Sequence, residues 1–191
     1  MFLKNEKYLL NILIIVCCLF TFKAHSASED KTEVLNYLSS LSDFSASFLQ
    51  SDGESLSEGR VYIGKKRVRA EYFLPTKILI ILAEDKAMYY DYELEEDEFF
   101  NPKNTNAWFF YEIFRNPIFF EDGKIEVKNN ELILEKNGID NEEKNFVIRV
   151  LFEKQPLVLR GIEVVINDDG LKLSIYNHNY NEIFDENFFK L

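Results

Sequence analysis

Alternation of apolar and polar positions governs most of the chain. Phe44, Ala46, Phe48 and Gln50 alternate with Ser45, Ser47 and Leu49, as in a half-buried strand. Ahead of it, Val34, Leu35, Leu38 and Leu41 recur at helical spacing, with Asp30 and Glu33 placed as N-cap and capping box. A short amphipathic helix over about 31–41 is therefore expected. Residues 51–57 read as a polar loop containing Gly53. Two short strands follow, 59–64 and 67–73, around a tight Gly64-Lys65-Lys66 turn. In the second, Arg67, Arg69 and Glu71 alternate with Val68, Ala70 and Tyr72, which sets a wet face against an apolar one. Pro75 ends it.

Residues 78–82 are apolar at every position, the pattern of a strand covered on both faces, for example by a sheet interior and a helix. Glu84-Asp85-Lys86 reads as a turn into a strand over 88–92, and the acidic run 93–98 reads as a solvated hairpin end. Between Pro102 and Pro117, residues 105–115 carry Trp108, Phe109, Ile113 and Phe114 at the spacing of a strongly apolar helix. Strands over 124–127, 132–135, 146–152, 156–166 and 171–176 follow, with turns at Asn129-Asn130 and Asp168-Asp169-Gly170. These elements predict one large curved antiparallel sheet with two helices against it.

The N-terminus breaks this pattern. Lys4 and Lys7, an uncharged stretch from Tyr8 to Phe22, and Ala24-His25-Ser26 form the three parts of a secretory signal, with cleavage expected near Ser26. Fifteen uncharged residues fall short of the roughly 20 that span a bilayer as a helix. An uncleaved N-terminal anchor is the alternative. Cys17 and Cys18 follow Val16 rather than a small residue, which argues against a lipid-accepting cysteine. Both lie inside the leader, so the single domain expected over 27–191 has no thiol chemistry and stands on burial alone. The net charge of −11 becomes −13 once three lysines and one glutamate leave with the leader. That balance disfavours nucleic acid and anionic membrane surfaces as partners. Eighteen Phe and ten Tyr exceed what a thin sheet needs, and an apolar cavity would draw on the same residues.

Little in the sequence points to catalysis. His178, read as a loop residue, is the single histidine after the leader, which excludes the common zinc sites and the cysteine–histidine and serine–histidine arrangements. There is no Gly-rich phosphate loop. The acidic run 93–98 has no apolar setting that would shift carboxylate pKa values, so neither an enzymatic role nor a cofactor is expected.

Gly59-Arg60-Val61-Tyr62, then Arg67-Val68-Arg69-Ala70-Glu71-Tyr72 and Pro75, resemble the glycine-led strand and arginine-rich strand closed by proline of the LolA family of periplasmic outer-membrane lipoprotein carriers. Phe44-Ser45-Ala46-Ser47-Phe48-Leu49-Gln50 is similar to the family's opening strand. Residues 80–86 and 90–94 resemble its next turn and strand, and 156–159 with 168–170 its closing hairpin. The resemblance implies an open, incomplete antiparallel β-barrel with helices covering an apolar concave face. It implies a periplasmic, non-enzymatic chaperone that takes lipoprotein acyl chains from an inner-membrane ABC transporter to an outer-membrane receptor. The chain departs from the family in having Lys65-Lys66 where Arg-Pro is common, so no lid-latching arginine carries over, and in having Ala70 at an aromatic position.

The expected lipid-binding cavity comprises Phe48, Val61, Ile63, Val68 and Tyr72, and the expected lid comprises Trp108, Phe109, Ile113 and Phe114. Core packing competes with ligand contact at each of them. Two other readings stand beside the carrier. One is a same-fold periplasmic sensor of lipid or lipoprotein that regulates envelope stress. The other is an integral outer-membrane barrel, opposed by the charged alternation at Arg67, Arg69 and Glu71.

Overall fold

The computed structural model describes residues 27–140, 143–167 and 169–190; the leader lies outside them, as does Asp168 of the expected closing turn. Among the described residues, eleven antiparallel strands form one sheet. The first six run as a meander: β1 (Phe44–Ser51), β2 (Leu56–Ile63), β3 (Val68–Leu74), β4 (Ile78–Leu82), β5 (Ala87–Asp91) and β6 (Glu96–Phe100). The second meander is β7 (Lys124–Lys128), β8 (Glu131–Ile139), β9 (Asn145–Glu153), β10 (Val158–Ile166) and β11 (Asp169–Asn179). Pairing of β1 with β11 joins the two halves, and β6 and β7 are left as unpaired edges. The sheet is thus an open, incomplete barrel.

Cross-strand register builds the inner face in rungs. Phe44, Ile63, Val68, Leu82 and Ala87 lie on one rung; Ala46, Val61, Ala70 and Ile80 lie on the next. In the other half Leu134, Val150, Ile162 and Leu173 line up likewise. Two helices cover this face, α1 (Ala27–Ser40) and α2 (Ala107–Arg115). Val34, Leu38 and, just beyond α1, Leu41 are buried, as are Phe109, Ile113 and Phe114 of α2. Inner rungs and helix faces share one apolar core.

Several local expectations need correction. Asp30 does not cap α1, since it lies inside the helix that runs from Ala27 to Ser40; its carboxylate is buried and ion-paired at 2.8 Å with Lys154 in the β9–β10 turn. The acidic run is not all turn, because Glu96, Asp97 and Glu98 belong to β6, whose backbone pairs with β5 whatever its side chains carry. β4 is nearly buried on both faces. Leu79 and Ile81 share the outer face with Glu71 and Arg69. His178 lies in β11, not in a loop, and its Nε2 sits 2.7 Å from the Leu159 carbonyl.

Beyond β11 the chain folds back across the outer face of β1–β3. Glu182 accepts from Ser45 and pairs with Arg60 at 3.3 Å. Arg67 and Arg69 donate to the carbonyls of Phe189 and Phe188. The Phe188 ring lies 4.3 Å from the Arg69 guanidinium and 4.9 Å from Tyr62. An aromatic cluster of Phe184, Phe188 and Phe189 thereby closes over a face that the alternation in β3 marks as wet.

Candidate functional site

On the concave face, between the sheet and α2, lies a small apolar cavity. Phe48, Val61, Ala70 and Tyr72 wall it from β1–β3, and Ile162, Leu173 and Ile175 from β10 and β11. Phe110 and Phe114 of α2 roof it. Its volume is about 50 Å³, small beside the roughly 300–1,000 Å³ of ordinary ligand sites, so α2 would have to move for the cavity to take a long chain.

Local sequence places each wall. The Phe48 ring lies over Gly59, where an added Cβ would stand 2.5 Å from the ring and 2.3 Å from the Glu71 carbonyl oxygen. Only glycine lets the ring and β3 approach β2 so closely. Tyr72 packs edge-to-face on Phe48 at 5.0 Å, and its hydroxyl donates to Gln50 Oε1 at 2.8 Å. Burial pushes the Tyr72 phenol up to about 12, so it stays protonated and a donor at any physiological pH. That bond occupies the Tyr72 proton and the Gln50 carbonyl oxygen, and the remaining wall residues are apolar.

The roof is tied down at its C-terminal end. Arg115, in the last turn of α2, donates to the carbonyls of Gly64 at 2.8 Å, Lys65 at 3.3 Å and Leu41. Its Nε is buried without a partner. One guanidinium therefore fastens α2 to the β2–β3 turn and to the exit of α1. One turn earlier along the helix Glu112 is also buried, bonded at 2.7 Å to Asn116, and burial raises its pKa.

Of the residues expected to form the cavity, Phe48, Val61 and Tyr72 line it; Ile63 and Val68 lie on the same face, buried in the core beside it. Of the expected lid, Phe114 faces the cavity and Phe109 and Ile113 are buried core positions of α2. Trp108 is only half-buried; it stacks on Tyr111 at 5.5 Å and turns away from the cavity into a separate cleft. Ala70 and Gln50 follow from strand parity. The β10 and β11 residues do not, because no local pattern announces that β11 pairs with β1.

No protein-family model matches the chain, and comparison with curated proteins returns no match. Among solved structures the fold is similar to that of an uncharacterized conserved protein from Thermus thermophilus, with a TM-score of 0.54 and 11% identity over 87% of this chain and 94% of that one. MucB in complex with MucA(peri) gives 0.49 at 9% identity, over 87% of this chain, and the Pseudomonas aeruginosa MucA/MucB complex gives 0.47 at 8%, over 85%. This chain spans about three fifths of those MucB chains, 60% and 61%. At such identities the likeness concerns the fold.

Proposed function

We propose that the protein is a periplasmic carrier that holds the acyl chains of lipoproteins against the inner face of the sheet, with α2 moving aside to admit them. The observation that carries this is the apolar cavity roofed by a helix that one arginine ties down through main-chain carbonyls. An acyl chain offers no hydrogen-bonding groups, so its site needs apolar area, at about 25 cal/mol per Å², and little directional chemistry. Prising α2 off the sheet would expose Phe110, Phe114 and the inner rungs together. Cargo comes from an inner-membrane lipoprotein-releasing ABC transporter and goes to an outer-membrane receptor, consistent with the resemblance to LolA carriers.

The test is release of a labelled lipoprotein from inner-membrane vesicles containing the transporter. A soluble one-to-one complex that later yields its cargo to outer-membrane vesicles supports the carrier. No soluble complex at any protein concentration refutes it. Depletion in a native host adds a second readout, since lipoproteins should then stay in the inner membrane. Co-purification of a signalling membrane protein, without exporter or lipoprotein, would make the protein a sensor of the same fold instead.

A further inference from the structure

On the other side of α2 lies a second, larger cleft of about 430 Å³, within the roughly 300–1,000 Å³ typical of small-molecule sites. Its floor is the end of β8 and β9 and its walls are aromatic: Trp108, Phe109, Phe119 and Phe146. Phe109 packs on Phe146 at 4.8 Å, with Phe119 at 6.3 Å from the same ring. Gly138 opposes Phe146 across the β8–β9 pair, and a Cβ there would stand 2.5 Å from the Phe146 ring.

The unusual residue is Lys136. Its register partner is Ile148, so it shares the inner face of β8 with Leu132 and Leu134, and its side chain is only 16% exposed. A cation there sits in an aromatic setting, 5.1 Å from the Phe119 centroid. Its ion-pair partner, Asp122, is 70% exposed and comes from the loop before β7. Lys103 enters from the opposite lip, 5.2 Å from the Trp108 centroid. Two lysines, Lys136 and Lys103, thus border the cleft beside its aromatic rings.

We propose that this cleft binds an anionic amphiphile, its carboxylate or phosphate on Lys136 and Lys103 and its apolar part against the partly exposed rings of Trp108 and Phe119. Asp122 occupies the position the ligand's anion takes, as an internal substitute that an incoming anion displaces. A half-buried lysine gains from a desolvated anionic partner, and the rings supply area that the anion's chain covers. The site is separate from the cavity under Phe110 and Phe114, so it stands or falls independently of the carrier function.

The probes are dodecanoate, a twelve-carbon lysophosphatidylglycerol and uncharged monododecanoyl glycerol, below their aggregation concentrations and read by Trp108 emission and calorimetry. One or both anions should bind, and the glycerol ester about tenfold more weakly or not at all, because it lacks the charge-assisted bond. The tighter anion identifies the source as a free fatty acid or a phospholipid. Lys136→Met should weaken the anion about tenfold. Asp122→Asn should tighten it, an effect no general hydrophobic binding would produce. Lys103→Met, at an exposed position, supplies the same test with little risk to folding. Equal binding of all three probes, no binding of either anion, or insensitivity to Lys136, Lys103 and Asp122 would overturn the proposal. Loss of lipoprotein release with anion binding intact would sink the carrier and leave this site standing.

Discussion

The guanidinium of Arg115 donates a 2.8 Å hydrogen bond to the carbonyl oxygen of Gly64, so the lid helix is fastened to the β2–β3 turn by main chain rather than by a carboxylate. The acceptor cannot be protonated or swapped by a neighbouring charge. The acceptors of this clamp therefore do not titrate, while the nearby Glu112 offers a titratable group at this end of α2.

Arg115→Met should release that end. The substitution removes charge-assisted bonds to Gly64 and Leu41 and leaves their carbonyls short of a partner, a cost of about 1.5–3 kcal/mol by urea denaturation. Lipopeptide uptake, followed with a labelled acyl chain, should be faster than in the wild type. Lost stability with an unchanged uptake rate would reduce Arg115 to a structural brace.

Ala70 borders the 50 Å³ cavity and is half-buried, which makes it the position at which to fill the site. Ala70→Val, which adds two carbons, should raise stability by about 0.5–2 kcal/mol, as cavity-filling substitutions do, and slow acyl loading. Val68, 2% exposed and off the cavity, cannot serve this purpose; a carboxylate there should unfold the protein. Faster loading by Ala70→Val would place the acyl site elsewhere.

Two adjacent aromatics on α2 should behave oppositely. Phe109 is 5% exposed and packed on Phe146, so Phe109→Ala should cost about 3–5 kcal/mol. Trp108, half-buried at the cleft, should cost clearly less when truncated to alanine. Chemical denaturation of both variants, followed by far-ultraviolet circular dichroism, compares them directly, and equal losses would contradict the assignment of Trp108 to the cleft wall.

His178 gives the molecule a pH dependence. Burial lowers its pKa below the usual 6.5, against a smaller opposing effect of its bond to Leu159. Unfolding then takes up a proton between the lowered folded-state pKa and about 6.5, so stability should fall as pH drops through that window and level off beneath it. His178→Gln should flatten that stretch of the stability profile measured by urea titration between pH 7.5 and 5. An unchanged slope would assign the dependence to carboxylates.

Local alternation settles much of this fold. The pattern from Arg67 to Tyr72 fixes which side of β3 is buried, and Val68 and Arg69 sit accordingly. It fails where another force outweighs side-chain polarity. β6 is acidic yet pairs because its backbone completes β5. β8 runs on through Lys136 and Gly138, polar or absent side chains on an otherwise apolar face, so its far end reads as loop. The carboxy-terminal Phe184, Phe188 and Phe189 follow no period because they pack as a cluster and not as a strand. Arg115 looks like any basic residue at a helix end, and only the fold brings Gly64 and Leu41 to it. Half of the cavity wall depends on the β1–β11 pairing, whose partners stand more than 120 residues apart in sequence.

That pairing has an engineering consequence. Every other strand contact joins sequence neighbours, so all the long-range closure of the sheet is concentrated in one seam. A backbone cut in the exposed stretch between Lys103 and Asn106 would yield two fragments, each already a contiguous run of hairpins. Their reunion would require a single edge-to-edge match of β1 with β11 and the reseating of two helices. The architecture is that of a split reporter, in which the return of signal would measure the strength of the seam itself.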